Sequence, residues 1–224
     1  NPPAFLLVSG NPNFRAESVV SYEMGYRRFL TSALYLDVTP FSSHYRRLQS
    51  FGVPVVSLEI TPPPPHMLIT TPYQNSIAGS ANGFEIAPVL QAASWWRIAG
   101  SYSFVNIDVH ANGPSSDISA TGSVRTYEGS TPRHHLEMHS FVNLSKKFEF
   151  DQMVRYASAL PAQNVKAYET ADLRLGWNPR PNIQISLFGG NLLQPHHPEW
   201  GTGDPTQAPL EVRRTAYIKL TLMQ

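Results

Sequence analysis

Residues 168–190 read YETADLRLGWNPRPNIQISLFGG, and their alternation decides the fold. Ala171, Leu173, Leu175 and Trp177 alternate with Asp172, Arg174 and Gly176. After Asn178-Pro179-Arg180-Pro181, Ile183, Ile185 and Leu187 alternate with Gln184, Ser186 and Phe188. Successive side chains of a strand point to opposite faces, so each run puts an apolar row on one face and a more polar row on the other. The Asn-Pro-Arg-Pro tetrad is turn chemistry, and the two runs are adjacent antiparallel strands. Beyond a connection rich in Gly, Pro and His, Ala216, Ile218, Leu220 and Leu222 alternate with Tyr217, Lys219 and Thr221. This is a third strand of the same kind.

The plan extends upstream. Val20, Tyr22, Met24 and Tyr26 oppose Ser21, Glu23, Gly25 and Arg27; Leu34, Leu36 and Val38 oppose Tyr35, Asp37 and Thr39, with Pro40 expected to mark a bulge. Further strands are expected from about Gln74 to Leu90, along Trp96, Ile98, Tyr102 and Phe104, over His135–Leu144, and over Phe148–Ser158. Residues 1–16, 50–73, 110–132 and 192–209 read as loops, and Pro62-Pro63-Pro64-Pro65 as a stiff polyproline piece. The total is about nine strands. Connections alternate short and long, as in outer-membrane barrels with short periplasmic turns and long extracellular loops. Trp96, Phe148 and Trp177 lie beside short turns on the apolar face, where a girdle of interfacial aromatics is expected. The alternative all-β reading, a soluble sandwich, gives no reason to mark one end of the strands with aromatics.

Composition agrees. The chain has 224 residues, net charge +1, 15% charged residues and no cysteine. No charge excess points to nucleic acid, and neither disulfides nor thiolate chemistry is available. A mean hydropathy of −0.24 fits a barrel whose polar inner residues offset its apolar outer ones. No apolar run reaches the roughly 18 residues of a membrane-spanning helix. Nine is odd where single-chain bacterial barrels have even numbers, and an open sheet would carry two unpaired edges, which a bilayer does not tolerate. The chain is therefore expected to be part of a longer one, and its start at Asn1-Pro2-Pro3 agrees.

GNPNFRAESVVSYEMGYR (residues 10–27) resembles the TonB-dependent outer-membrane receptor family, as do Gly83-Phe84-Glu85, Trp96-Arg97, Pro132-Arg133-His134-His135, the stretch from Tyr168 to Gly201, and Arg213-Arg214 before the last strand. The resemblance implies an antiparallel transmembrane β-barrel of about 22 strands. Residues 1–224 would be its C-terminal portion, with the plug domain and N-terminal strands outside the chain. It also implies import of a small-molecule substrate, a ferric siderophore or similar metal chelate, across the outer membrane of a Gram-negative-type bacterium. The implied partners are membrane lipid, the receptor's own plug and, through the plug, the TonB complex; no cofactor and no nucleic acid are expected. The chain ends Leu222-Met223-Gln224 where the family usually ends in an aromatic residue. Rival functions are a plugless porin-like or adhesin barrel and a barrel hydrolase. The last has little support, since neither Gly-x-Ser-x-Gly nor His-Glu-x-x-His occurs.

Candidate ligand-binding residues at the outer loops and rim are His44, Tyr45, Arg46, Arg47, Tyr73, Gln74, Arg125 and Tyr127, with Thr126 between the last two. Arg and Tyr suit an anionic catecholate or carboxylate chelate. His135, Glu137 and His139 share one strand face and are a possible metal or chelate contact. Their spacing of ~6.5 Å per two residues requires convergence on one ion. His196, His197 and Glu199 are read as fixing a loop. Glu23 with Arg27, and Asp172 with Arg174, are read as charge pairs of the inner wall, facing the plug.

Overall fold

A computed structural model describes residues 3–112, 118–201 and 209–222. The strands are β1 (Ala4–Ser9), β2 (Ser18–Glu23), β3 (Tyr26–Phe29), β4 (Leu34–Phe51), β5 (Val55–Glu59), β6 (His66–Ala93) and β7 (Trp96–Ala111). After helix α1 (Ile118–Gly129) follow β8 (His134–Asn143), β9 (Phe148–Ala157), β10 (Tyr168–Arg180), β11 (Ile183–Gly190), β12 (His196–Trp200), β13 (Leu210–Arg213) and β14 (Thr215–Leu222). Among the described residues the main sheet has twelve strands; its path β14-β11-β10-β9-β8-β7-β6-β4-β2 takes nine of them in sequence order, which bears out the predicted meander, while β1 and β5 pair with β6 and β3 with β4.

Register fixes the faces. Leu175 pairs with Phe150 on one side and Leu187 on the other, and Leu187 pairs with Ile218. Met138 pairs with Val154, itself opposite Ala171. The apolar row is therefore continuous across five strands. It is also uncovered: Met138, Leu175 and Leu187 are 47%, 43% and 53% exposed. The other face carries Ser101 opposite Glu137, which is opposite Arg155. An apolar face left bare beside a charged one is the reverse of a water-soluble sandwich, whose apolar rows pack inward.

The described residues fall into two compact units. The first comprises Asn1–Tyr22, Ser42–Asn82 and Ile107–Glu128; the second comprises Glu23–Phe41, Gly83–Asn106 and Gly129–Gln224. Strands β4, β6 and β7 contribute to both. Inside the first unit, Leu48, Ile77 and Val109 form a core, with Tyr45, Ile107, Val124 and Tyr127 packed on it. Val124 and Tyr127 come from α1, so this helix lies on the sheet face that bears Ile77 and Val109.

Several sequence expectations need correction. Residues 4–9 are a strand, not loop: AFLLVS pairs in parallel with β6, Leu6 opposite Ile69. Residues 50–73 are mostly hairpin, since β5 pairs with β6 and Glu59 faces His66. Six residues must then reverse the chain, so Pro62–Pro65 bend at the tip instead of forming a rod. The 110–132 segment contains α1, held by packing. Pro40 lies in an unbulged part of β4 and accepts a hydrogen bond from Met24 N–H. Because proline returns none, the ladder breaks opposite it, between β2 and β3. The irregularity in β4 falls instead at Arg47, whose φ is 61°. Residues 196–200 and 210–213 form a hairpin, β12 with β13.

Candidate functional site

Two concavities lie within the first unit. The Arg47 irregularity changes the alternation of β4, so Tyr45 and Leu48 both reach the core beneath α1. His44 and Arg46 point the other way, where His44 meets the Tyr22 ring edge-on at 6.4 Å. There they line a depression of about 660 Å³ together with Ser80, Asp108 and His110.

The second concavity, of about 640 Å³, lies against α1 and is lined by residues of β1, β4, β6 and the helix. Leu6 and Val8, two apart on β1, supply hydrocarbon, as does Phe51. Gln49, Thr71, Thr126 and Tyr127 supply uncharged polar groups, and Gly122 forms part of the helix wall. Tyr127 donates its hydroxyl to the Gln49 carbonyl at 3.2 Å. Gln49 N–H donates to Glu17 Oε1 at 2.6 Å. Burial, then the nearby Glu17 carboxylate, raise the Tyr127 pKa above its ordinary value against the opposing pull of the Gln49 hydrogen bond. The phenol is thus a neutral donor at physiological pH.

The eight loop candidates therefore do not form one cluster. Three of them, His44, Tyr45 and Arg46, line the same depression, and Tyr45 also packs with Tyr127 on the α1 core. Tyr73 sits between Phe14 and Phe51, at ring-centroid distances of 5.9 and 5.4 Å. The Gln74 side chain lies against Gly52. Arg47 offers its carbonyl to Asn75 Nδ2 at 2.7 Å, and Arg125 is exposed on α1. Leu6, Val8, Gln49, Phe51 and Thr71 were missed. β1 reaches them through a partner some sixty residues away, which leaves no local pattern to read.

On the polar face of the second unit, the same-strand charge pairs are replaced by cross-strand ones. Arg174 donates to Asp151 at 2.6 Å and to Glu149 at 2.9 Å, while Asp172 pairs with Arg155 at 2.8 Å. Arg27 pairs with Asp37, not Glu23. Arg174 faces Asp151 and Arg27 faces Asp37 directly across their ladders, closer than i and i+2 on one strand, while Arg155 and Glu149 are the diagonal neighbours of Asp172 and Arg174 on the same face. Asn178 and Gln184 donate to Glu149, and Arg97 lies 4.2 Å over the Phe141 ring.

His135, Glu137 and His139 share this face but face Ala157, Arg155 and Met153 in turn. Among the described residues, no three His, Asp or Glu side chains gather as ligands for one metal ion. His197 is 2% exposed, stacks on Tyr168 at 4.5 Å and touches Glu199 at 3.2 Å; His196 pairs with Glu211. Both histidines thus tie down the β12–β13 hairpin. Phe148 lies opposite Trp177 with nearly parallel rings, and Trp96 donates to Ser140 Oγ at 2.9 Å on the same face.

The comparisons agree with this architecture. No curated protein sequence matches the chain. Among solved structures, a mutant of the ferric enterobactin receptor PfeA of Pseudomonas aeruginosa is similar at TM-score 0.69 and 16% identity, over 96% of this chain and 32% of that one. The siderophore receptor PirA of Acinetobacter baumannii gives 0.67 and 14%, over 96% and 33%. The ferric yersiniabactin uptake receptor FyuA of Yersinia pestis gives 0.65 and 17%, over 92% and 30%. The chain spans about a third of the length of these receptors, and at such identities they show the fold alone. The family model described as TonB dependent receptor-like, beta-barrel matches residues 1–192. Its members are transporters, not enzymes. With a bare apolar face, a charged opposite face and a family match over most of its length, the chain belongs to the TonB-dependent receptor-like β-barrel family.

Proposed function

We propose that residues 1–224 are the C-terminal portion of the barrel of an outer-membrane receptor that imports a metal chelate, most simply a ferric siderophore, with energy supplied through TonB. The carrying observation is the two-faced meander. Its exposed apolar rows suit lipid and its charged rows suit a polar lumen. Trp96, Phe148 and Trp177 would sit at the interface near the short turns. The Arg174–Glu149–Asp151 and Arg155–Asp172 groups would face the plug, and the first unit, with its long connections and two concavities, would meet the substrate. His44, Arg46 and Tyr127 stay candidates there; His135, Glu137 and His139 fit a polar lumen wall better than a metal site. Similar folds include receptors named for ferric enterobactin and ferric yersiniabactin and a copper transporter, which supports a metal-linked cargo.

The test is uptake of radiolabelled ferric siderophores by iron-starved cells carrying the full-length receptor. Uptake should stop with a protonophore or without TonB. Uptake that continues under both, together with steady conductance in planar bilayers, would point to a passive barrel and end the energised reading.

A further inference from the structure

The cavity against α1 has a chemistry that narrows the cargo. Its volume of about 640 Å³ is within the roughly 300–1,000 Å³ usual for small-molecule sites. Among the described residues lining it, none is charged. Hydrocarbon comes from Leu6, Val8 and Phe51, and hydrogen-bonding groups come from Gln49, Thr71 and Tyr127. Leu6 and Val8 are 72% and 42% exposed, so they present apolar surface still in contact with solvent. The formal charge nearest this wall in the hydrogen-bond pattern is negative: Glu17 accepts from Gln49 N–H. The same carboxylate helps to hold Tyr127 protonated. Arg125, though exposed on α1, is not among the lining residues, so a polyanion entering here would lose hydration against uncharged groups and be repelled by Glu17. Arg46, His44 and His110 cannot relieve it, since they line the other depression.

We propose that this cavity takes the uncharged, apolar-sided organic shell of a neutral ferric chelate, of the trihydroxamate kind, and discriminates against polyanionic tris-catecholate complexes. Three hydroxamates each carry one negative charge and cancel iron(III), so no net charge has to be buried. Three catecholates leave a surplus of negative charge. The inference rests on the transport reading above and assigns it a substrate class.

Gly122 provides the test. A Cβ built there meets no atom within 4 Å, so Gly122→Trp can enter the cavity without displacing backbone. Thr126→Asp, on the same wall, adds a second carboxylate without bulk. The full-length receptor would be assayed for binding of ferrichrome, as a neutral ferric trihydroxamate, and of ferric enterobactin, and for energised uptake of both. Ferrichrome should bind more tightly, and each variant should weaken it by roughly ten-fold or more through clash or unpaired charge. Thr126→Asp also covers the case in which Gly122→Trp folds poorly. Energised uptake of ferric enterobactin in preference to ferrichrome would overturn the inference while leaving the transport reading intact. Ferrichrome binding indifferent to both variants would also overturn it. Absence of energised uptake for both chelates would remove the transport reading and this inference together.

Discussion

Arg174 shows how single residues hold the polar face. Its guanidinium bridges Asp151 and Glu149, with all three side chains only about a fifth to a third exposed. Removing it leaves two carboxylates close together without a counter-charge. Arg174→Leu should therefore cost about 2 kcal/mol, between the values for surface and buried pairs. Glu149→Gln in the same background should restore part of it, giving a coupling that a denaturant titration of all four proteins measures. Additive effects would mean that the ion pair contributes nothing. Gly83 makes the complementary point about space. A Cβ there would strike the Phe104 carbonyl and come 2.7 Å from the Phe41 ring. Gly83→Val should cost about 1–3 kcal/mol, towards the upper end because part of the obstacle is backbone. Its measure is the fraction of receptor that resists heat-unfolding in a gel; wild-type behaviour would show that the strands separate there freely.

At the scale of elements, α1 depends on its contacts. Its sequence, ISATGSVRTYEG, contains two glycines and four Ser or Thr residues, so intrinsic propensity contributes little. Val124 and Tyr127 on the sheet, and the Tyr127 hydroxyl on Gln49, hold it. Tyr127→Phe should weaken docking by about 1 kcal/mol, seen as faster amide exchange confined to α1. The raised pKa adds a pH signature. The docked state favours the protonated phenol, so this contribution is complete below the free-tyrosine value of 10.0 and is lost as pH rises through the higher docked value. Alkaline undocking above pH 10 in the wild type should be absent in Tyr127→Phe; identical profiles would assign the transition to another group. This element also marks the limit of what the sequence makes legible. Strands such as β10 and β11 are readable because alternation is local: Leu173, Leu175 and Trp177 announce their face without knowledge of any partner. β1 and α1 are not readable, because a parallel partner some sixty residues away and a tertiary docking site leave no periodic trace. The same limit applied to the charges. Asp172 and Arg174 look paired in sequence, but the register hands each to the neighbouring strand.

For the whole molecule, the decisive property is that the two faces of one sheet see different solvents. Adjacent residues of a single strand test this, since they share depth, neighbours and backbone and differ only in face. In β14, Ile218 lies opposite Leu187 on the apolar face and is 73% exposed, while Lys219 lies opposite Ser186 on the other. In lipid, Ile218→Arg buries an unpaired cation in hydrocarbon and should cost about 2–4 kcal/mol near the bilayer midplane, less towards an interface. Lys219→Ala changes a residue facing a hydrated lumen and should stay within about 0.5 kcal/mol. In water the order would reverse, because an arginine at an exposed position is harmless and the bare apolar row is the liability. The experiment is reversible denaturant unfolding of the full-length receptor in lipid vesicles, followed by tryptophan fluorescence. A large penalty at Ile218 with none at Lys219 assigns lipid to the apolar rows and water to the charged ones. Equal penalties would mean that both faces meet the same medium, and the membrane-spanning assignment of this sheet would have to be withdrawn.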